Sequence, residues 1–188
     1  MDPPAQSPRG VAIVAHPHPL YGGSLDNKVA QTLARALAEL GYVAWRPNFR
    51  GVGASEGRHD EGRGEVEDLA AVLSHAERAQ GPGLLVLAGF SFGAAMQAKL
   101  AERLRTQGQR SARLVLVGLA VTHSTVPGVP ADTLLIHGER DETVPLAAVL
   151  DWARPQDLPV IVVPGADHFF HRRLPLLRAI VQRNWGAG

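Results

Sequence analysis

The amino-acid sequence predicts an α/β protein, a three-layer sandwich in which a mostly parallel sheet of six or seven strands lies between helices on both faces. Short apolar runs rich in β-branched residues alternate along the chain with longer stretches of helical periodicity. The apolar runs lack polar alternation, which is typical of strands buried on both faces. Strands that alternate with helices are joined by crossover connections, and such connections make a sheet parallel.

Six segments have the length and composition of buried strands. They are residues 11–15, 42–46, 84–88, 113–120, 133–137 and 159–163. The first predicted helix follows Asp26, the expected N-cap, and ends before Gly41, a residue suited to the position after a helix. The other helical segments are 65–79, 91–107, 145–153 and 173–185, and the glycine-rich, charged stretch 50–64 is expected to be a mobile loop.

Composition narrows the class of protein. With 188 residues, of which 45% are hydrophobic, the chain has enough apolar surface for one core, so residues 1–188 are expected to form a single domain. The formal net charge is +1, without a basic face, which argues against a nucleic-acid partner. The absence of cysteine excludes disulfide scaffolds and thiol chemistry. No signal peptide or membrane-spanning run is recognised, so we expect a cytoplasmic protein with no membrane partner, while the oligomeric state stays unknown.

The stretch GFSFG, residues 89–93, places Ser91 directly after a predicted strand and before a predicted helix. Ligands bind beyond the carboxyl ends of parallel strands, so this is a position for a functional side chain. A sharp strand-to-helix turn needs neighbours without bulk, which Gly89 and Gly93 supply, and it exposes the serine hydroxyl at a helix N-terminus. We expect Ser91 to be a nucleophile; the alternative is a tight turn with a solvated serine.

A second stretch, GASEG at residues 53–57, repeats the same pattern around Ser55. The preceding strand is interrupted at Pro47, and the following residues are charged and broken by glycine rather than helical. The pattern needs its strand–turn–helix context to carry meaning. We therefore expect Ser55 to be a loop residue.

A serine nucleophile needs a base within hydrogen-bond reach and a third group that orients the base. In this architecture the acid and then the histidine follow later strands. Asp141 comes shortly after the strand 133–137 and is the expected acid, although it could instead be a surface residue that caps the next helix. His168 follows the strand 159–163 on a bent loop and is the expected base.

Rival residues are less well placed. Asp132 lies at the opposite end of its strand, and Glu139 and Glu142 flank Asp141 without a predictable direction. Asp167 is adjacent in sequence to His168, which is a poor position from which to hold the same ring. His171 is the rival base, but it falls beside the last helix and is expected to face water.

The developing oxyanion needs two N–H donors. One is expected from Phe92, the residue after the nucleophile, and the other from the loop HPHPLYGG at residues 16–23. The two prolines of that loop have no N–H, so His18 is the first choice and Leu20 the second. His16 and His18 could also suggest a metal, but no further cluster completes a ligand set, so neither metal nor cofactor is expected.

Taken together, these motifs resemble the α/β-hydrolase family, and in particular a small branch in which HPHPLYGG is followed by DNK and RGVGASEG follows the next strand. Three motifs occur in the same order as in the family: GFSFG at the strand-to-helix turn, HGERDETVP in the loop of the acid and GADHFF in the loop of the histidine. The resemblance covers nearly the whole chain. The resemblance implies a serine esterase-like hydrolase whose catalytic triad is Ser91, Asp141 and His168.

Two departures from the family pattern are visible. The family's N-terminal antiparallel hairpin is expected to be reduced or missing, and the lid insertion between the strands 113–120 and 133–137 is replaced by the short loop VTHSTVPGVPA. A site without a lid stays open, which favours small, accessible acyl substrates with short chains. The residues expected to form a shallow substrate groove are Leu20, Tyr21, Phe90, His123, Val144 and Phe169.

The expected reaction is acyl transfer to water through an acyl-serine, with a small-molecule acyl substrate as partner. The sequence does not separate ester, thioester, lactone and activated amide substrates. The main alternative is a non-catalytic module of the same fold that binds a ligand or a protein, against which the complete set of three side chains argues. A nucleotide-binding function is excluded because no glycine-rich phosphate loop follows the first strand.

Overall fold

One parallel sheet organises the chain. The computed structural model describes residues 8–109, 112–122 and 125–185. Its strands are β1 (Gly10–Ala15), β2 (Tyr42–Trp45), β3 (Leu84–Phe90), β4 (Arg113–Val117), β5 (Leu134–Gly138) and β6 (Val160–Val163). They are hydrogen-bonded in the order β2-β1-β3-β4-β5-β6, and every neighbouring pair is parallel. The predicted α/β class is confirmed, with six strands in the sheet.

Helices cover both faces of this sheet. They are α1 (Lys28–Glu39), α2 (Arg63–Gln80), α3 (Phe92–Thr106), α4 (Leu146–Ala153) and α5 (Leu174–Arg183), with short 3₁₀ helices at Pro19–Tyr21 and Arg154–Gln156. Buried side chains of α2, α3 and α4 form one cluster with the sheet, and those of α1 and α5 form a second cluster on its other face. The three-layer arrangement is therefore confirmed.

The central strand β3 shows why the strands lack polar alternation. Leu85 and Leu87 belong to the cluster beneath α2 and α3, whereas Val86 and Ala88 belong to the cluster beneath α1 and α5. Each side chain leaves water whichever face it occupies, and burial of a leucine or valine contributes about 1.5–3 kcal/mol. A polar residue would be costly on either face.

Two strand ends differ from the sequence prediction by more than one residue, and both differences concern the functional edge of the sheet. β3 continues to Phe90, two residues beyond the predicted end, so Ser91 directly follows it. β4 ends at Val117 rather than at residue 120, because Gly118 adopts φ 54° and leaves the extended conformation.

The N-cap of α1 also differs by one residue. Asn27, not Asp26, caps the helix: its Oδ1 accepts the N–H groups of Val29 and Ala30 at 2.9 and 3.3 Å. Gly41 follows the helix with φ 91°, the left-handed conformation expected there. The helix thus begins and ends with the local chemistry that favours such boundaries.

Between β4 and β5, the described residues form neither a helix nor a strand, as expected for a chain without a lid. Ser55 lies in an irregular loop, which confirms its prediction as a loop residue. No helix in the described ranges is long and apolar enough to cross a membrane.

Candidate active site

Ser91 occupies the turn between β3 and α3 in a strained conformation, with φ 55° and ψ −119°. Residues other than glycine seldom adopt a positive φ, and such strain is found mainly at functional sites. The Ser91 N–H donates to the carbonyl of Val117, the last residue of β4, at 2.9 Å. The turn is therefore held by the neighbouring strand.

Gly89 and Gly93 are required by the space around this turn. A Cβ on Gly89 would lie 2.5 Å from the carbonyl carbon of Gly93, and one on Gly93 would lie 2.4 Å from the carbonyl oxygen of His16. The first turn of α3 consequently rests against the carboxyl end of β1. This contact brings the loop 16–23 beside Ser91.

His168 lies between Ser91 and Asp141. Its Nε2 is 3.0 Å from Ser91 Oγ, and its Nδ1 is 2.6 Å from Asp141 Oδ2. With the proton on Nδ1 donated to the carboxylate, Nε2 is left to accept the hydrogen bond of the Ser91 hydroxyl. The ring packs on the buried Phe90, with 4.8 Å between ring centroids, and next to Gly118, where a Cβ would come within 3.3 Å of the ring.

Asp141 is held by its own loop. Its Oδ1 accepts the N–H groups of Thr143 and Val144 at 3.0 and 2.7 Å, while Oδ2 contacts His168. The carboxylate therefore makes the local turn contacts of a capping residue and the contact with the imidazole at once. Because its side chain is fully buried, its direction is fixed.

His137, which the sequence analysis did not single out, supports this loop. It is fully buried, and its Nε2 lies 2.9 Å from the carbonyl oxygen of Val144 and 3.5 Å from Asp141 Oδ2. Burial lowers the pKa of His137, so the neutral ring donates its Nε2–H to Val144. A single histidine at the end of an apolar strand is typical of a core residue. Only its position four residues before Asp141 indicates that His137 contacts the loop of the acid.

Acid should destabilise the fold partly through His137 and His16. Burial lowers the pKa of both below the ordinary value of 6.5, so the unfolded chain takes up protons before the folded one as the pH falls. The contribution of the two neutral histidines to the free energy of unfolding is complete above pH 6.5. It is lost as the pH falls below that value, by at most about 1.4 kcal/mol per pH unit for each group. In urea unfolding between about pH 7.5 and about pH 5.5, His137→Gln should show a shallower loss of stability than the wild type. An equally steep loss would contradict this role.

Three of the rival residues, His171, Asp167 and Glu139, have other partners. Nδ1 of His171 lies 2.7 Å from Asp167 Oδ2, and both side chains are exposed, so Asp167 holds His171 and not His168. Glu139 accepts the N–H of Gly165 at 2.7 Å. Neither carboxylate contacts the imidazole that faces Ser91.

The residues predicted to supply backbone donors for an oxyanion, Phe92 and His18, lie on neighbouring segments at this turn, and one alternative is corrected. Phe92 is the first residue of α3, so its N–H has no acceptor within the helix. The His18 ring lies 4.8 Å from the Phe92 ring, which places the loop 16–23 beside the turn. Leu20 is wrong as a second choice, because its N–H is directed at Nδ1 of His18 at 3.2 Å.

His16 is not available as a metal ligand. Its Nδ1–H donates to the carbonyl of Pro17 at 2.7 Å, and its Nε2 accepts the N–H of Phe49 at 3.0 Å. Both ring nitrogens are therefore used within the protein, and the ring fixes the backbone of two loops.

A cavity of about 580 Å³ opens above Ser91. Its lining consists of His18, Tyr21, His59, Glu61, Ser91, Phe92, Lys99, Ala120, Thr125 and Thr143. The loop 16–23, the loop 50–62, the first half of α3 and the loops after β4 and β5 all contribute. The cavity thus lies where the carboxyl ends of the strands meet, as expected for a parallel sheet.

Two residues predicted to line a groove are core residues instead. Phe90 is 0% exposed because it points from β3 into the cluster beneath α1 and α5, where it supports His168. Val144 is 1% exposed and contributes its backbone N–H to Asp141. Both residues are close in sequence to a predicted site residue, but their side chains are buried and do not line the cavity.

The remaining groove predictions divide. Tyr21 lines the cavity, whereas Leu20 and Phe169 are exposed but do not line it; the Phe169 ring packs 5.1 Å from the ring of His168. His123 lies outside the described residues.

Three charged or titratable cavity residues were missed by the sequence analysis. His59 and Glu61 belong to the loop 50–62, which has no periodicity from which to place side chains. Lys99 carried a usable signal: it follows Phe92 by seven residues on α3, and that spacing puts two residues on one helix face.

The fold and this arrangement define the class of protein. The family model for the alpha/beta hydrolase fold matches residues 18–131, so the chain belongs to the α/β-hydrolase family and is an α/β hydrolase. The resemblance stated from the motifs is thereby confirmed.

Three relatives illustrate the match. An α/β serine hydrolase homologue from Coxiella burnetii is 42% identical with a TM-score of 0.87, over 98% of this chain and 88% of that one. An α/β serine hydrolase without a lid from Xanthomonas campestris is 37% identical with a TM-score of 0.87, over 97% and 84%. An uncharacterised protein of Rickettsia prowazekii (strain Madrid E) is 34% identical over 88% of this chain and 74% of its own length. This chain is therefore similar to lidless serine hydrolases.

Proposed function

We propose that the protein is a serine esterase-like hydrolase that cleaves carboxylic esters or thioesters of small, accessible acyl substrates through an acyl-Ser91 intermediate. The observation that carries the proposal is the unbroken contact from Ser91 Oγ through His168 to Asp141, at 3.0 and 2.6 Å, on the wall of an open cavity. These are the roles of nucleophile, base and orienting acid.

In the first half of the reaction, His168 Nε2 takes the proton of the Ser91 hydroxyl as Oγ attacks the carbonyl carbon. The imidazolium that forms is stabilised by the Asp141 carboxylate. The bond between the carbonyl carbon and the leaving oxygen or sulfur then breaks, and His168 returns the proton to the leaving group. Water, activated by the same imidazole, hydrolyses the acyl-serine.

The N–H groups of Phe92 and His18 would stabilise the oxyanion. Helix α3 begins at Phe92, so its dipole favours negative charge at that point. Loss of one such donor typically costs about 3 kcal/mol of transition-state stabilisation. The close packing of Gly93 on the end of β1 keeps the two donors on neighbouring segments.

Covalent labelling tests the assignment of the nucleophile. A fluorophosphonate probe is expected to label the wild type at Ser91, as read by mass spectrometry of the adduct, and Ser91→Ala should abolish labelling and turnover of p-nitrophenyl acetate. The other serine in a G-x-S-x-G pattern supplies the control, because Ser55 Oγ donates to the carbonyl of Asn48 at 3.2 Å and Ser55 does not line the cavity.

Ser55→Ala should therefore be labelled like the wild type. Labelling that survives in Ser91→Ala would overturn the assignment. A wild type that binds small esters but is neither labelled nor active would favour the non-catalytic alternative.

A further inference from the structure

Lys99 differs from the other basic residues of α3. Arg103 contacts Glu67 and Arg105 contacts Glu102 at 2.5 and 2.8 Å, at the outer surface of the helix. In the described part of the chain, no carboxylate forms an ion pair with Lys99, although its side chain is only half-exposed. An ammonium group that is partly removed from water without a counter-charge is costly, so a partner of opposite charge is expected.

This ammonium belongs to the same cavity as the nucleophile. Lys99 lines the cavity together with Ser91, and its Nζ lies 3.6 Å from the position that a Cβ on Gly62 would take. Lys99 is seven residues beyond Phe92, which is about 10 Å along the helix axis, and its Cα–Cβ bond tilts back toward the N-terminus of α3. A substrate held at Ser91 can therefore reach Lys99 with a second functional group a few bonds away.

The carboxylates near Lys99 form no direct ion pair with it. Glu65 is fully buried and engaged: its two oxygens accept the N–H groups of Asp60 and Gly62 at 2.9 and 2.8 Å, and Oε1 lies 2.8 Å from Nδ1 of His59. Glu61 lines the cavity but is exposed and forms no ion pair with Lys99. Lys99 is thus a cation on the cavity wall without a direct ion-pair partner in the described ranges, and Glu61 is the carboxylate that shares the cavity with it.

We propose that Lys99 binds a carboxylate carried by the substrate, so that the esters preferred by this enzyme are anionic. This inference rests on the proposed ester hydrolysis at Ser91 and names the chemical class of its substrates. A charge-assisted hydrogen bond from the ammonium is stronger in a partly enclosed cavity than at an open surface. The recognised group is a carboxylate on either the acyl or the alcohol side of the scissile bond.

Matched pairs of esters test the proposal. For the acyl side, mono-p-nitrophenyl glutarate is compared with the neutral p-nitrophenyl ester of glutaramic acid. For the alcohol side, 4-acetoxybenzoate is compared with 4-acetoxybenzamide. The wild type is expected to prefer the anionic member of at least one pair by about tenfold in kcat/KM, and Lys99→Met should reduce that ratio to about one. Lys99→Arg, which keeps the charge, should retain most of the preference.

Two further variants make the result specific. Lys28, the other lysine of the chain, is exposed on α1 outside the cavity, so Lys28→Met should leave the ratio unchanged. Glu61→Gln should raise the ratio about threefold, because it removes a like charge from the cavity that the carboxylate enters.

The outcomes separate the two proposals. Turnover of neutral and anionic members at equal rates, or a preference that persists in Lys99→Met, overturns the role of Lys99 and leaves ester hydrolysis at Ser91 intact. No turnover of any ester by the wild type overturns the proposed function and this inference together.

Discussion

Replacement of His168 by glutamine is expected to lower kcat for p-nitrophenyl acetate by about 10⁵-fold or more, the size of loss typical when the catalytic histidine of a serine hydrolase is removed. The reason is geometric: Nε2 of His168, the proposed base, lies 3.0 Å from Ser91 Oγ, and a glutamine amide cannot take the proton of the Ser91 hydroxyl. Steady-state and single-turnover measurements on the purified variant give the loss directly.

His171→Gln is the matched control for this experiment. Its imidazole also contacts an aspartate, at 2.7 Å from Asp167 Oδ2, but it lies at the surface and not in the cavity. Turnover by this variant should match the wild type. If His171→Gln lost activity and His168→Gln kept it, the base would have to be reassigned.

Replacement of Gly93 by alanine is expected to lower the free energy of unfolding by about 3 kcal/mol or more, a loss at the severe end for single substitutions. The added Cβ would lie 2.4 and 2.5 Å from the carbonyl oxygens of His16 and Ala15. Both oxygens belong to backbone at the end of β1, which is paired on both sides and fully buried, so neither can withdraw without disturbing the sheet. Urea unfolding at neutral pH measures the change.

Gly128→Ala separates this clash from the general effect of replacing glycine. A Cβ on Gly128 would approach only the side chain of Gln156, at 3.5 Å, which is an ordinary contact. Its unfolding free energy should stay close to that of the wild type. Equal stability of Gly93→Ala and Gly128→Ala would show that α3 can move away from β1 freely.

The sequence was sufficient for the parts of the fold that depend on local pattern. The predicted strand segments correspond to the six strands of the sheet, because side chains buried on both faces leave an apolar run that needs no partner to be recognised. Ser91, Asp141 and His168 each follow one of these strands, and parallel strands have their carboxyl ends at the same edge of the sheet. The proximity of these three side chains could therefore be predicted from the strand order and the direction of the sheet.

The cavity wall could not be predicted in the same way. His59 is placed by the loop 50–62, whose path depends on hydrogen bonds from Asp60 and Gly62 to the buried Glu65. Such contacts have no periodicity in the sequence. The groove prediction for Phe90 was wrong for a different reason. Phe90 is adjacent to Ser91 in the chain, but the alternation of side chains along β3 directs it into the core.

The outermost position of β6 has a consequence for how the protein loses function. Among the described residues, β6 pairs with β5 alone and its Val162 is 37% exposed, whereas β3, which precedes Ser91, is flanked by a strand on each side. The imidazole of His168 is thus positioned by the loop after an edge strand. Local opening of an edge strand needs less free energy than global unfolding. Fraying of that edge would separate the proposed base from the Ser91 hydroxyl, which stays in place, so the proposed activity would be lost while most of the fold persists.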